Sequence, residues 1–166
     1  MARARKRSAR RVPTARRPAP SRRPPPAPRR AAVRPAEAER RLLALARELE
    51  GLGADALPRA IRCVAAAYAP DGDLPAAVQR AWLASRGDKT ATLALAWARE
   101  QVRLVLYELI AATPPSARGA LPLPADTLAW LILAACESLA HEPPAAAADR
   151  LRLLLELTGR AAPGGV

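Results

Sequence analysis

KTATLALAWAREQVRLVLYELIAA, from Lys89 to Ala112, is the longest helical candidate in the chain. Asp88 ahead of it has the short acceptor side chain that caps a helix start, and Pro114 and Pro115 beyond it cannot continue a helix. Between those signals the residues follow helical spacing, which predicts one long helix of roughly 35 Å at ~1.5 Å per residue. An element of that length has to be covered along one face by others of the same kind, and the flanking sequence supplies them on both sides.

Toward the N-terminus, Gly87 stops a helix expected from about Leu74 to Ser85, with Pro75 tolerated in its first turn. The RGD string at Arg86 to Asp88 is then a helix stop followed by a cap and carries no adhesive role. Ala56 to Tyr68 places Leu57, Ile61, Val64 and Tyr68 on one stripe before Pro70, Asp71 and Gly72 break it. Arg40 to Glu50 does the same with Leu42, Leu45, Ala46 and Leu49, and Gly51 and Gly53 end it.

Toward the C-terminus, a loop with Gly119, Pro122 and Pro124 leads to a helix expected from Asp126 to about His141, closed by Pro143 and Pro144. A last helix runs from Ala145 to Thr158. No segment shows period-two alternation with β-branched residues, so the expectation is an all-α, six-helix bundle over residues 37–161. Residues 162–166 are expected to be a flexible C-terminus.

The charge divides the chain differently. Arg3 to Arg34 holds 13 of the 27 basic residues and no acid, so the net charge of +12 belongs entirely to that segment. Residues 1–36 are almost wholly Ala, Arg and Pro, with three prolines in a row at Pro24 to Pro26. Such a segment cannot bury enough surface to fold and is expected to be a disordered, extended basic tail.

As a functional element, Arg3, Arg5, Lys6, Arg7, Arg10, Arg11, Arg16, Arg17, Arg22, Arg23, Arg29 and Arg30 are the candidate contacts to nucleic-acid phosphates. Binding of that kind reads no sequence and weakens steeply with salt. The other reading is genomic: GC-rich coding DNA yields Ala, Arg, Pro and Gly in many frames, so the segment could reflect a wrong start or a frameshift.

Composition also excludes classes. Cys63 and Cys136 stand 73 positions apart without CxxC or histidine partners, which predicts reduced core thiols and neither a disulfide framework nor a zinc site. No signal-peptide pattern follows the Arg-rich start, and Leu128 to Ala140 is shorter than the ~20 residues of a membrane span. A cytoplasmic location is the expectation. No nucleophile elbow, Walker loop, HExxH pair or glycine-rich dinucleotide turn occurs, so neither an enzyme nor a cofactor is expected. His141, the only histidine, falls where an imidazole favours a helix C-terminus.

Two association readings follow from the helices. The fifth is apolar almost all the way round and the sixth is rich in leucine, which predicts a two-fold dimer through the last two helices. Its interface would use Leu128, Leu131, Ile132, Ala135, Leu139, Leu151, Leu154 and Leu155. The plainer alternative is a fifth helix central to a monomeric bundle. For a ligand pocket, Trp97, Gln101, Leu104 and Glu108 share one face of the long helix, Arg103 and Tyr107 form an adjacent i, i+4 pair, and Tyr68 and Trp82 supply further aromatic wall. The alternative is an ordinary core face with Arg103 paired to Glu100.

The strings WAREQVR (Trp97 to Arg103), LPADTLAW (Leu123 to Trp130), AACESLA (Ala134 to Ala140) and the closing RLRLLLELTG resemble the C-terminal regulatory domain of TetR/AcrR-type transcriptional regulators. The resemblance covers about Glu37 to Arg160. It implies a helical bundle that binds a small hydrophobic ligand and dimerises through its last two helices. The family's N-terminal helix-turn-helix would precede the first helix, and the Arg/Pro tail stands in its place. No DNA-reading helix is carried over.

Overall fold

The long helix is formed from Lys89 to Ala112, and both of its ends are tied by side chains. Asp88 Oδ1 accepts the N–H of Ala91 at 3.0 Å, satisfying one of the donors a helix start leaves without a partner. At the other end Arg118 folds back, its Nε donating to the Thr113 carbonyl at 2.6 Å and its Nη2 to the Ala111 carbonyl at 3.1 Å. A guanidinium there also meets the negative end of the helix dipole.

The computed structural model describes residues 35–53, 56–118 and 123–159, all of them within the second of two units, residues 31–166. The helices are α1 (Pro35–Glu50), α2 (Leu57–Ala67), α3 (Asp73–Ala84), α4 (Lys89–Ala112), α5 (Ala125–Leu139) and α6 (Pro144–Thr158). A 3₁₀ turn at Pro115–Ala117 follows α4, and no strand occurs among the described residues. The protein is all-α over that range. The basic residues Arg3 to Arg30 assigned above to nucleic acid, and the C-terminus 162–166, lie outside the described residues.

Most helix ends fall within a residue or two of the expectation. The exception is α1, which opens at Pro35, five residues before its expected start and two before the expected domain boundary. Proline suits a first helical turn, Glu37 there favours the positive end of the dipole, and Ala38 is already in the core. The apolar stripe begins at Ala38, so counting from the leucines alone misses the first turn.

The core is built on α4. Leu95, Ala98, Val102, Leu106 and Ile110 form its buried stripe. α1 packs most extensively on it and α5 next, α1 bringing Leu42, Leu45 and Leu49 to the core and α5 bringing Leu128, Ile132 and Leu133. α2 fills in with Leu57, Ile61 and Val64, and α6 lies against α5 and α2. Each fully buried leucine or isoleucine stabilises the fold by about 1.5–3 kcal/mol relative to exposure.

The buried hydroxyls of Ser85, Thr113 and Thr158 donate to the carbonyls of Trp82, Leu109 and Leu154, so none is stranded. Cys136 is buried and Cys63 half-buried, and both are free thiols. Among the described residues no helix is long and apolar enough to cross a membrane.

Candidate functional site

Although α3 and α4 are joined by a short turn, they touch only sparsely, because α3 packs chiefly on α1. Arg41 of α1 reinforces that choice, pairing with Glu37 at 2.9 Å and with Asp73 at the head of α3 at 3.4 Å. The turn itself needs Gly87, whose φ of 87° is a backbone conformation that side chains strain. Thr92 pins it, its hydroxyl lying 3.2 Å from the Ser85 carbonyl and 2.9 Å from that of Asp88.

Between α3 and α4 this arrangement leaves a cleft of about 960 Å³. Val78, Trp82 and Leu83 line it from α3 and Ala96, Arg99 and Glu100 from α4. Tyr68 beyond α2, Glu137 of α5, and Ala140 and His141 past the end of α5 also line it, with Gln79 a further polar side chain on the α3 wall. Trp82 is 38% exposed, so part of its indole faces solvent rather than the core.

The polar centre of the cleft is an ion pair between two helices. Arg99 Nε donates to Glu137 Oε1 at 2.6 Å and Arg99 Nη2 to Oε2 at 2.7 Å, a side-on bidentate arrangement. Their side chains are 30% and 27% exposed. Tyr68, 3% exposed, directs its hydroxyl to Glu137 Oε1 at 3.4 Å. The Glu137 bond holds the Arg99 guanidinium even further above its ordinary pKa. Burial, and then the negative charge of Glu137, push the Tyr68 phenol well above its usual range.

The other ionisable groups near the core are equally far from reactive states. Burial raises the Cys136 thiol to about 12, with Glu137 adding to the shift. Cys63 rises to about 11 through burial and its contact with Glu48. Among the described residues no group of three or more His, Cys, Asp and Glu could hold a metal ion. What the cleft offers is a flat apolar wall beside a neutralised pair of charges, which suits holding a molecule.

Of the pocket residues expected from sequence, Tyr68 and Trp82 line this cleft, and the others do not. Trp97 is 56% exposed on the outer face of α4, with Leu104, Tyr107 and Glu108 exposed on the same side and Gln101 half-buried. Arg103 is a clamp: its Nε reaches Glu100 Oε1 at 3.0 Å and Oε2 at 2.9 Å, and its Nη1 reaches Asp126 in the first turn of α5. That bond to Arg103 holds the Glu100 carboxyl below its usual range. His141 is exposed two residues beyond the end of α5, with its N–H on the Ser138 carbonyl.

The residues assigned to a dimer seam are divided by the fold. Leu128, Ile132 and Leu139 are buried in the chain's own core, and Ala135, Leu151, Leu154 and Leu155 are half-buried. Leu131 is exposed, and it is joined on the last two helices by Trp130, Leu153 and Leu157.

Arg99 and Glu137 are the site residues that sequence reasoning missed. A signal was present: after Asp126, Glu137 is the only ionisable side chain of α5 apart from the buried thiol of Cys136. A lone carboxylate in so apolar a helix requires a cationic partner. No protein-family model, curated protein or solved structure matches this chain.

Proposed function

We propose that residues 35–159 are a ligand-binding regulatory domain of the TetR-like kind, sensing a small, largely apolar molecule in the α3–α4 cleft. The observation that carries this reading is the cleft itself: about 960 Å³ with Trp82 and Leu83 on one wall and the Arg99–Glu137 pair on another. Ligand sites characteristically combine apolar walls with a few placed polar groups. The phenol and thiols, held in their protonated forms, favour binding over catalysis.

The test is binding of Nile red, an uncharged planar dye whose emission rises in apolar surroundings. The full chain should bind it and unfold at a higher temperature in its presence, since a ligand selective for the folded state raises stability by mass action. Trp82→Ala should weaken that binding about tenfold or more, given the area an indole contributes. Binding that is indifferent to Trp82 would remove the cleft from consideration.

Dimerisation through the last two helices belongs to the same proposal, and the exposed Trp130, Leu131, Leu153 and Leu157 are the residues that support it. Light scattering of the full chain measures it, and a monomer at tens of micromolar would end it. Nucleic-acid contact is proposed only through the basic segment, on its 13 cationic residues and absence of acid between Arg3 and Arg34. That binding should fall steeply with salt and vanish when residues 1–34 are deleted. Ligand binding should persist in the shortened chain.

A second reading, a helical interaction protein that senses nothing, is favoured by the outer ridge of α4. Leu93 and Trp97 are exposed there together with Leu104 and Tyr107. It would be preferred if neither Nile red nor any small planar probe binds while nucleic-acid binding remains.

A further inference from the structure

We propose that the α3–α4 cleft selects uncharged planar molecules carrying an amide-type edge, such as a lactam or a carboxamide, over charged molecules of the same size. The inference rests on the reading of the cleft as a ligand site and adds the class of ligand.

The ion pair sets the selection. Arg99 and Glu137 meet through Nε and Nη2 on one side and both carboxylate oxygens on the other. Oε1 already receives Arg99 Nε and the Tyr68 hydroxyl. Oε2 receives Arg99 Nη2 and has a second lone pair, and Nη2 has a second hydrogen. The end of the pair therefore presents a donor and an acceptor side by side, 2.7 Å apart. A lactam complements it directly: its N–H donates to Glu137 Oε2 and its carbonyl accepts from Arg99 Nη2.

Charge selects in the same direction. A carboxylate entering the cleft would be drawn to Arg99 and repelled by Glu137 at nearly the same distance, and an ammonium the reverse. Neither recovers the solvation it gives up on leaving water. Glu100, the other carboxylate on the lining, is already neutralised by Arg103 at 2.6 Å and so does not tip the balance. A neutral molecule gives up less and gains two bonds to charged groups. Planarity follows from Trp82, whose partly exposed indole on the cleft wall suits offset stacking or edge contact with a flat body.

The experiment uses four bicyclic probes of similar size on the full chain, with calorimetric titration as the readout. They are carbostyril, a neutral lactam; naphthalene, which has no polar edge; naphthoate, an anion; and naphthylmethylammonium, a cation. Carbostyril should bind at least about tenfold more tightly than the other three, the ratio expected of hydrogen bonds to charged groups.

Substitutions move the preference in opposite directions. Glu137→Gln leaves the Arg99 charge alone and should make naphthoate the tightest of the four. Arg99→Gln leaves the Glu137 charge alone and should favour naphthylmethylammonium. If a single variant fails to fold, the ranking on the unaltered protein still decides, and the double variant Arg99→Met/Glu137→Leu should bind carbostyril and naphthalene alike. A charged probe binding best to the unaltered chain, or carbostyril no better than naphthalene, overturns the proposed class while leaving the cleft a ligand site. Failure of all four to bind while Nile red binds overturns the class alone, and failure of Nile red as well overturns both.

Discussion

Breaking the ion pair from each side in turn gives a prediction that depends on its being a pair. Arg99→Met strands Glu137, and Glu137→Leu strands both Arg99 and the Tyr68 hydroxyl, which now meets Glu137 Oε1 at 3.4 Å. Removing one partner of a fully buried pair costs about 3–5 kcal/mol, and of an exposed pair about 0–1 kcal/mol. With side chains 30% and 27% exposed, solvent screens part of the penalty. Each single change should therefore destabilise the fold by about 2 kcal/mol.

The double variant removes both charges at once and leaves only the tyrosine hydroxyl without its acceptor. It should also cost about 2 kcal/mol, where independent effects would give about 4 kcal/mol. Urea unfolding followed by far-ultraviolet circular dichroism resolves the difference. At a slope of about 1.5 kcal/mol per molar, the midpoint falls by about 1.3 M in all three variants. A double variant lying within about 0.5 kcal/mol of the additive value would show that the two side chains do not act as a pair.

Three further outcomes follow from other parts of the fold. Asp88→Ala removes the bond to the Ala91 N–H and should cost about 1 kcal/mol in the same urea experiment, whereas Asp88→Ser should cost much less. Burial holds the Cys136 thiol at about 12, so dithionitrobenzoate at pH 8 should leave it unmodified in the folded protein and titrate it once guanidinium is added. Glu100 has a depressed pKa in the folded state, so its contribution is present above its unfolded value of 4.5 and is lost as pH falls through the lower folded value. Arg103→Met, compared with the parent by thermal melts between pH 5 and 2, should flatten that acid limb.

The ends of α4 were readable because they are written locally: Asp88 caps within four residues, and Pro114 and Pro115 stop the helix by their own chemistry. Its orientation was not readable. Both faces of α4 carry large apolar residues, so spacing from Trp97 and spacing from Leu95 describe equally good stripes. Only the positions of α1 and α5 decide that Leu95 and Val102 go in and Trp97 and Leu104 come out.

The same limit hid the cleft. Tyr68 and Trp82 stood out as rare aromatics, but the bond between Arg99 and Glu137 depends on how two helices 38 positions apart cross. No local pattern encodes that distance. For α5, an apolar circumference predicted a need for cover without saying which side the chain itself covers. Leu128, Ile132 and Leu139 turned inward and Trp130 and Leu131 did not.

Because α1 grips both α3 and α4 while those two barely touch, the gap between them is dictated by a helix that does not line it. Leu42 and Leu45 of α1 are buried in the core, and Arg41 ties α1 to Asp73 at the head of α3. Trimming or enlarging side chains on α1 would alter the width of the cleft while leaving every residue that lines it unchanged. On the proposed reading of the cleft, selectivity by size and selectivity by chemistry would be written on separate helices and could vary independently.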